Sequence, residues 1–189
     1  MIKTIAAIAL GALATISFPF TGEIDYSQDS YNQFEKKANK WTLPGGSHNE
    51  RVTLDFFQGH GIIDKYALAT LMGNIKAESL FHTNICEGGT RVSYSACRVG
   101  GYGLIQWTTE NRYNGLALFA SKYGGDPNSL TTQLRYMFNE GQFQNNLHVW
   151  KTPGLSIERY MDAAYRWLGW GVHGHRTTYT QQYLAKFTR

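Results

Sequence analysis

One acidic side chain occupies a position that the helical pattern assigns to the protein interior. Glu78 lies seven residues after Leu71 and three after Ile75, so a helix would bring it onto their shared apolar face. Lys76 falls roughly on the opposite face, and the nearby helix C-terminus carries partial negative charge. Burial and the dipole both raise the pKa of the carboxyl, which suits a group that donates a proton near neutral pH. The alternative is a half-exposed Glu at a frayed helix end.

The helix carrying Glu78 is the first of several that apolar periodicity predicts in the C-terminal part of the chain. N-cap residues, glycines and an Asp-Pro pair mark the boundaries. The predicted helices run from Asp64 to Leu80, from Thr108 or Thr109 to Gly124-Gly125, from Asp126-Pro127 to Gly141, and onward from Ser156 and from Thr177. In the helix after Ser156, Tyr165 and Trp167 fall off the apolar stripe, which favours their exposure.

Helical periodicity is absent between Asn84 and Trp107, where glycines alternate with β-forming residues. The fold class is therefore α+β, predominantly α-helical, with a small β/loop insertion. Cys86 and Cys97 lie in this segment. An even cysteine count in an exported chain favours one disulfide, while two free thiols are the alternative. Zinc would require four ligands, which these cysteines do not supply.

The chain begins with a hydrophobic segment that has no charge between Ile5 and Phe20. It is short for a membrane span and typical of a secretory signal, although an anchor or a segment packed in an assembly are alternatives. The predicted organisation is a signal-like or anchor segment at 1–22, an arm or linker at 23–49 with a short helix around Tyr31–Trp41, and one domain at 50–189.

Composition narrows the functional classes. With 42% hydrophobic and 17% charged residues, the chain is not disordered as a whole. The net charge of +4 favours an anionic partner but is too small for a dedicated nucleic-acid binder. Aromatic residues make up 14% of the sequence, and we expect some to line a groove that binds flat amphipathic ligands such as sugars.

Two motifs in sequence order carry a family resemblance. The string Ala77-Glu78-Ser79-x-Phe81, followed by Gly103-Leu104-Ile105-Gln106-Trp107, resembles the lysozyme superfamily. The longer strings Gly73-Asn74-Ile75-x-x-Glu78-Ser79 and Gly101-Tyr102-Gly103-Leu104-Ile105-Gln106-Trp107-Thr108 are closer to bacteriophage tail lysozyme domains. The likeness extends over roughly residues 50–187. It implies a lysozyme-like fold in which Glu78 is the acid and the second motif lines the opposite side of the cleft.

The resemblance also implies peptidoglycan glycan strands as the substrate, without a cofactor. Many such hydrolases use a second carboxylate. No aspartate occurs between Asp64 and Asp126, so the candidates are Glu87 and Glu110. Glu87 is better placed, although it suits an exposed loop equally well, and Glu110 suits the first turn of a helix.

Substrate-binding candidates surround the two motifs. We expect Tyr102, Gln106 and Trp107 at the cleft wall, Ser79 beside the acid and Tyr165 across the groove; packing roles for Tyr102 and Trp107 are the alternative. The histidines His148, His173 and His175 lack the partners of a metal site, so we expect no metal.

Three functions remain open from the sequence. The first is a lysozyme (muramidase) of a phage virion or tail that acts on the wall during entry, with tail proteins as further partners. The second is an exported, periplasmic lytic transglycosylase, which uses one Glu as acid and then base. The third is a virion structural or wall-binding module without turnover. None of them involves nucleic acid, and only residues 1–22 would contact a membrane.

Overall fold

A computed structural model describes residues 40–98 and 100–189 of the chain. This part of the protein is mainly helical. Its helices are α1 (His48–Gly59), α2 (Lys65–Ser79), α3 (Glu110–Tyr123), α4 (Leu130–Asn139), α5 (Gly141–Gln144), α6 (Leu147–Lys151), α7 (Ile157–Leu168) and α8 (Arg176–Lys186), with one 3-10 turn at Tyr94–Ala96.

The central helix is α2, against which α1, α7 and α8 pack. Its residues 67–75 are buried, as the apolar pattern predicts. Asp64 caps it as expected, since its Oδ1 accepts hydrogen bonds from the backbone of Tyr66 at 2.8 Å and Ala67 at 3.0 Å. A Cβ at Gly73 would lie 2.6 Å from the backbone nitrogen of Thr180, so glycine is what permits the close approach of α8.

The other predicted helix starts are confirmed or differ by a few residues. Thr109 precedes α3, and Ser156 caps α7 by accepting a hydrogen bond from the Arg159 backbone. The helix expected after Asp126-Pro127 begins only at Leu130, because Ser129 supplies the cap and Asp126 instead accepts from the backbone of Asn128 in the preceding turn. The last helix follows His175 rather than Thr177.

Helix α1 is an element that the sequence interpretation missed. Ser47 and Glu50 form a capping box, the signal that could have revealed it. The residues before it, assigned to the end of the arm, contact the domain: Leu43 is buried, and Thr42 pairs with Thr188.

The remaining N-terminal predictions fall mostly on residues that are not described. The signal-like segment at 1–22 and most of the helix expected around Tyr31–Trp41 lie outside the described residues, and Trp41 itself is not helical. Among the helices that are described, none combines the length and the apolar character needed to cross a bilayer.

The glycine-rich segment is a loop rather than a β insertion. In its described residues, pairing is limited to the isolated bridges Ile85–Arg91, Cys86–Tyr102 and Tyr102–Trp107. Positive φ angles interrupt any longer pairing, for example at Gly88 and Gly103, which only glycine adopts without strain. The predicted disulfide between Cys86 and Cys97 is confirmed, with a Cα–Cα distance of 5.6 Å.

The ring of His60 packs against those of Phe56 and Phe138, with centroid distances of 4.2 Å to each. Burial lowers the pKa of His60, and Lys151 lowers it further, although the bond to the Phe56 carbonyl opposes both. The folded state therefore binds this proton less readily than the unfolded chain. Because the unfolded state then holds more protons, the free energy of unfolding should decrease as the pH falls below about 6.5.

We predict that His60→Phe reduces this acid sensitivity. The substitution keeps an aromatic ring packed against the two phenylalanines and removes the titrating group. Urea unfolding at about pH 7.5 and about pH 5 measures the effect as a smaller difference in free energy than in the wild type. The exposed His148 provides the control, since His148→Gln should leave that difference unchanged. An unchanged difference in His60→Phe would contradict the assignment.

Candidate functional site

An open groove of about 430 Å³ lies where the C-terminal end of α2 meets the glycine-rich loop and the start of α8. The end of α2 contributes Lys76, Glu78 and Ser79 to its lining. The loop side includes Ile85, Cys86, Gly88, Gly89 and Gln106, and the α8 side includes Gly174, His175, Arg176 and Tyr179. Glu78 is the only carboxylate among the described residues that line this groove.

Glu78 is mostly buried, as its place on the apolar face predicts. Its side chain is 15% exposed and forms an ion pair with Arg176, whose side chain is 8% exposed. Burial raises the pKa of the Glu78 carboxyl, because loss of hydration outweighs the attraction of Arg176 and Arg112 for the anion. The local sequence around Glu78 gave no sign of a partner, since Arg176 is 98 residues away in the chain.

Arg176 is itself held from several sides. Its Nη1 donates to the carbonyl of His173 at 3.1 Å and to that of Val172 at 3.4 Å. Its guanidinium carbon lies 4.5 Å from the centroid of the Trp170 ring. The carboxyl of Glu78 is therefore connected through one guanidinium to the segment between α7 and α8.

The Glu87 carboxylate is exposed and does not line the groove. Its Oε2 accepts a hydrogen bond from the Gly101 backbone at 3.0 Å, and its own backbone nitrogen donates to the Gly101 carbonyl at 2.8 Å. These contacts fix one turn of the loop to the next. Glu110 lies in the first turn of α3, where the helix dipole stabilises a carboxylate.

Ser79 has a structural contact beside the acid. The residue is 2% exposed, and its hydroxyl donates to the Leu104 carbonyl at 2.7 Å while it accepts from the Phe81 backbone at 3.1 Å. The end of α2 is thereby attached to the second motif, which places Glu78 opposite the loop.

The loop wall is held by two glutamines. Gln106 lines the groove, and its Nε2 donates to the carbonyls of Gly103 at 3.0 Å and Ile85 at 3.3 Å. Behind the wall, the buried Gln133 accepts from the Leu104 backbone at 2.8 Å and donates to the Thr83 carbonyl at 2.7 Å. Sequence reasoning proposed Gln106 but not Gln133.

Tyr102 and Trp107 lie in the core rather than at the cleft wall. Both are 0% exposed. The Tyr102 hydroxyl donates to the side chain of Asn128 at 2.7 Å, and Trp107 packs against Tyr136 with ring centroids 5.4 Å apart. The expectation that they contact substrate is corrected: Tyr102 and Trp107 pair across a turn with both rings in the interior, and Gln106 within that turn lines the groove.

Two aromatic residues of α7, both expected to be exposed, differ in their exposure. Tyr165 is 53% exposed and meets Trp170 edge to face at 5.3 Å, so its predicted exposure is confirmed. Trp167 was also expected to be exposed, but it is 1% exposed and packs against Phe143. The apolar stripe of α7 is wider than the sequence interpretation allowed.

Backbone strain concentrates beside the groove. Leu80, Phe81 and Gln106 have φ angles of 51°, 64° and 53°. They are the three residues other than glycine with positive φ in the described part of the chain, and two of them line the groove. Strained backbone of this kind persists where surrounding contacts hold a functional geometry.

The described residues contain no group of three or more His, Cys, Asp or Glu side chains that could hold a metal ion. His173 instead contacts the Thr177 hydroxyl at 2.8 Å.

A buried carboxyl at the end of a central helix, facing a loop across an open groove, defines a class of helical protein with an acid-bearing cleft. The family model described as phage tail lysozyme matches residues 48–183, and the chain belongs to this family. No curated protein and no solved structure matches the chain. Family membership indicates a lytic enzyme of the glycosidase type, with peptidoglycan as its substrate and a role in phage.

The disulfide stabilises the loop that faces Glu78, and Cys86 lines the groove. We predict that the double variant Cys86→Ser, Cys97→Ser lowers the free energy of unfolding by about 2–3 kcal/mol, because the unfolded chain regains the freedom of a short closed loop. Urea unfolding measures the loss. Reducing agent should destabilise the wild type and leave the double variant unaffected; equal stability of oxidised and reduced wild type would contradict the prediction.

Proposed function

We propose that the protein is a muramidase that cleaves the β-1,4 bond between N-acetylmuramic acid and N-acetylglucosamine, with Glu78 as the general acid. The observation that carries the proposal is the position of Glu78, which lines the groove while mostly shielded from water. Glycosidic cleavage requires a protonated carboxyl beside the leaving oxygen. Burial raises the pKa of Glu78, which favours that protonated form.

The walls of the groove suit an N-acetylated sugar strand. The Gln106 amide and the backbone of the loop offer donors and acceptors for acetamido and hydroxyl groups. Beyond the lining of the groove, the exposed Tyr165 meets the partly buried Trp170, and a sugar ring can stack on this pair. Ser79 holds the end of α2 in place and acts on the reaction through Glu78.

One observation favours a second candidate, lytic transglycosylase activity. Among the described residues, the groove holds the Glu78 carboxyl alone, and Glu87 is bonded to the Gly101 backbone. A single Glu can donate the proton to the leaving oxygen and then accept one from the muramic acid C6 hydroxyl. That oxygen attacks the anomeric carbon, and the product carries a 1,6-anhydro ring. A hydrolase would instead add water at the same carbon and produce a reducing end.

The proposed setting is a phage virion, where a tail-associated enzyme opens the host wall during entry, with other tail proteins as partners. The net charge of +4 favours approach to an anionic wall. We propose that residues 1–22 act as an export signal or an anchor, which would take the domain to the same periplasmic location.

We predict that Glu78→Gln lowers the rate of peptidoglycan cleavage by about 100-fold or more, because an amide of similar shape cannot donate the proton. Turbidity loss of purified sacculi gives the rate. Glu110→Gln is the matched control: Glu110 is exposed and outside the groove, so its variant should retain the wild-type rate. If Glu78→Gln cleaves as fast as the wild type, Glu78 is not the acid.

Mass spectrometry of the products separates the candidates. Reducing ends identify a muramidase, and 1,6-anhydro ends identify a transglycosylase. A wild-type protein that binds sacculi but releases neither product would instead be the non-catalytic wall-binding module.

A separate prediction concerns Glu87. Because its carboxylate bonds to the Gly101 backbone outside the groove, Glu87→Gln should change the cleavage rate by no more than about threefold, the range of a surface substitution. Loss of activity comparable to that of Glu78→Gln, with unchanged thermal stability, would identify Glu87 as the second catalytic carboxylate.

A further inference from the structure

The side chain of Arg176 is buried to an extent that is unusual for an arginine. It is the first residue of α8, and only 8% of its side chain is exposed. One end of its guanidinium bonds to Glu78, and the other donates to carbonyls of the segment before α8. Its guanidinium also lies over the ring of Trp170, and a planar fork can make these contacts at the same time, whereas the compact ammonium of a lysine has no such fork.

The segment that Arg176 contacts is the connection between α7 and α8. Residues 169–175 connect α7 to α8 and include Gly169 and Gly174, both with positive φ. Val172 at its tip is 79% exposed. Trp170 and the two carbonyls that accept from Arg176 belong to this segment, so the position of Trp170 and that of the guanidinium depend on each other.

We propose that Arg176 is a positioning residue for Glu78 and that Trp170 holds Arg176 in place. A displacement of the segment 169–175 would therefore also displace the guanidinium that bonds to Glu78. The proposal extends the proposed function, since it makes the aromatic side of the groove act on the acid through one guanidinium. A ligand that contacts Trp170 then changes the titration midpoint of the Glu78 carboxyl without touching it.

Other charged and titratable groups also face Glu78. Lys76 lies on its own helix, Arg112 acts on it from α3, and His175 and Tyr179 line the groove from the α8 side. Arg112 is held by the buried Glu140 through Nε at 2.7 Å and Nη2 at 2.9 Å. Arg176 is therefore the cation that bonds to Glu78 directly.

The test measures the titration of Glu78 without substrate, so that it does not depend on the proposed function. Carbon-13 NMR of the Glu side-chain carboxyls in the full chain gives the midpoint, and the resonance missing in Glu78→Gln assigns it. Arg176→Gln should move the midpoint to higher pH, because the cation that favours the carboxylate is removed. Arg176→Lys, which keeps the charge, should move it less.

The dependence on Trp170 is tested by a double-mutant cycle. Trp170→Leu should change the Glu78 midpoint in the wild-type background and have little further effect in Arg176→Gln. Tyr165→Leu is the matched control, because Tyr165 meets Trp170 edge to face while the guanidinium lies over the Trp170 ring; it should leave the midpoint unchanged. If Arg176→Gln does not fold, the same comparison is made in Arg176→Lys.

Additive effects in the cycle, or an unchanged midpoint in Arg176→Gln, would overturn the proposal. In the enzyme assay, Arg176→Lys should lower kcat by about 10-fold or more with little change in KM, because a misplaced acid affects the reaction more than binding. A change in KM alone would also overturn it. Failure of cleavage in every variant, with the midpoints behaving as expected, would count against the proposed function only.

Discussion

The ion pair between Glu78 and Arg176 is the constraint on which the rest of the site depends. A carboxyl placed among apolar residues at the end of α2 loses most of its hydration, and a buried charge without a partner would cost several kcal/mol. The partner comes from the first residue of α8, so the two helix ends must meet. Gly73 permits that meeting, since any side chain there would collide with the Thr180 backbone. Fold and site are therefore linked by one contact.

The opposite side of the groove is held together differently, because its described residues form a loop rather than α-helices or extended strands. Its backbone is held by isolated backbone–backbone hydrogen bonds, such as that from Glu87 to Gly101, and by single side chains. Ser79 bonds to the Leu104 carbonyl, Gln133 bonds to the Leu104 amide, and the disulfide joins Cys86 to Cys97. The first two contacts hold the loop at Leu104 and the disulfide holds it at the two cysteines, so the wall is fixed at separate points. Such pairing satisfies buried polar groups that an isolated loop would leave unsatisfied.

Local signals in the sequence predict local structure well here. Asp64 and Ser156 mark their helices correctly, and the periodicity around Glu78 predicts its burial. Contacts between distant segments could not be predicted from local signals. The pairing of Glu78 with Arg176, for example, depends on how α8 crosses α2. The second motif shows the same limit, because its residue types identify a family while only the packed loop shows that Trp107 faces inward.

The chemistry follows from an imbalance between the two sides of the groove. The α2 side carries the Glu78 carboxyl. The loop side offers amides and carbonyls, and no second acid is among the described residues that line the groove. In the proposed reaction, the charge that develops on the sugar in the transition state is then stabilised by the anion that Glu78 becomes, by substrate groups, or by water in the groove. In the proposed reaction, Arg176 stabilises the anion that proton donation leaves on Glu78, so it favours that donation. The same cation lowers the protonated fraction of Glu78 beforehand and the basicity of the carboxylate afterwards. In the proposed arrangement, the contact between Trp170 and the guanidinium sets the balance between these opposing effects.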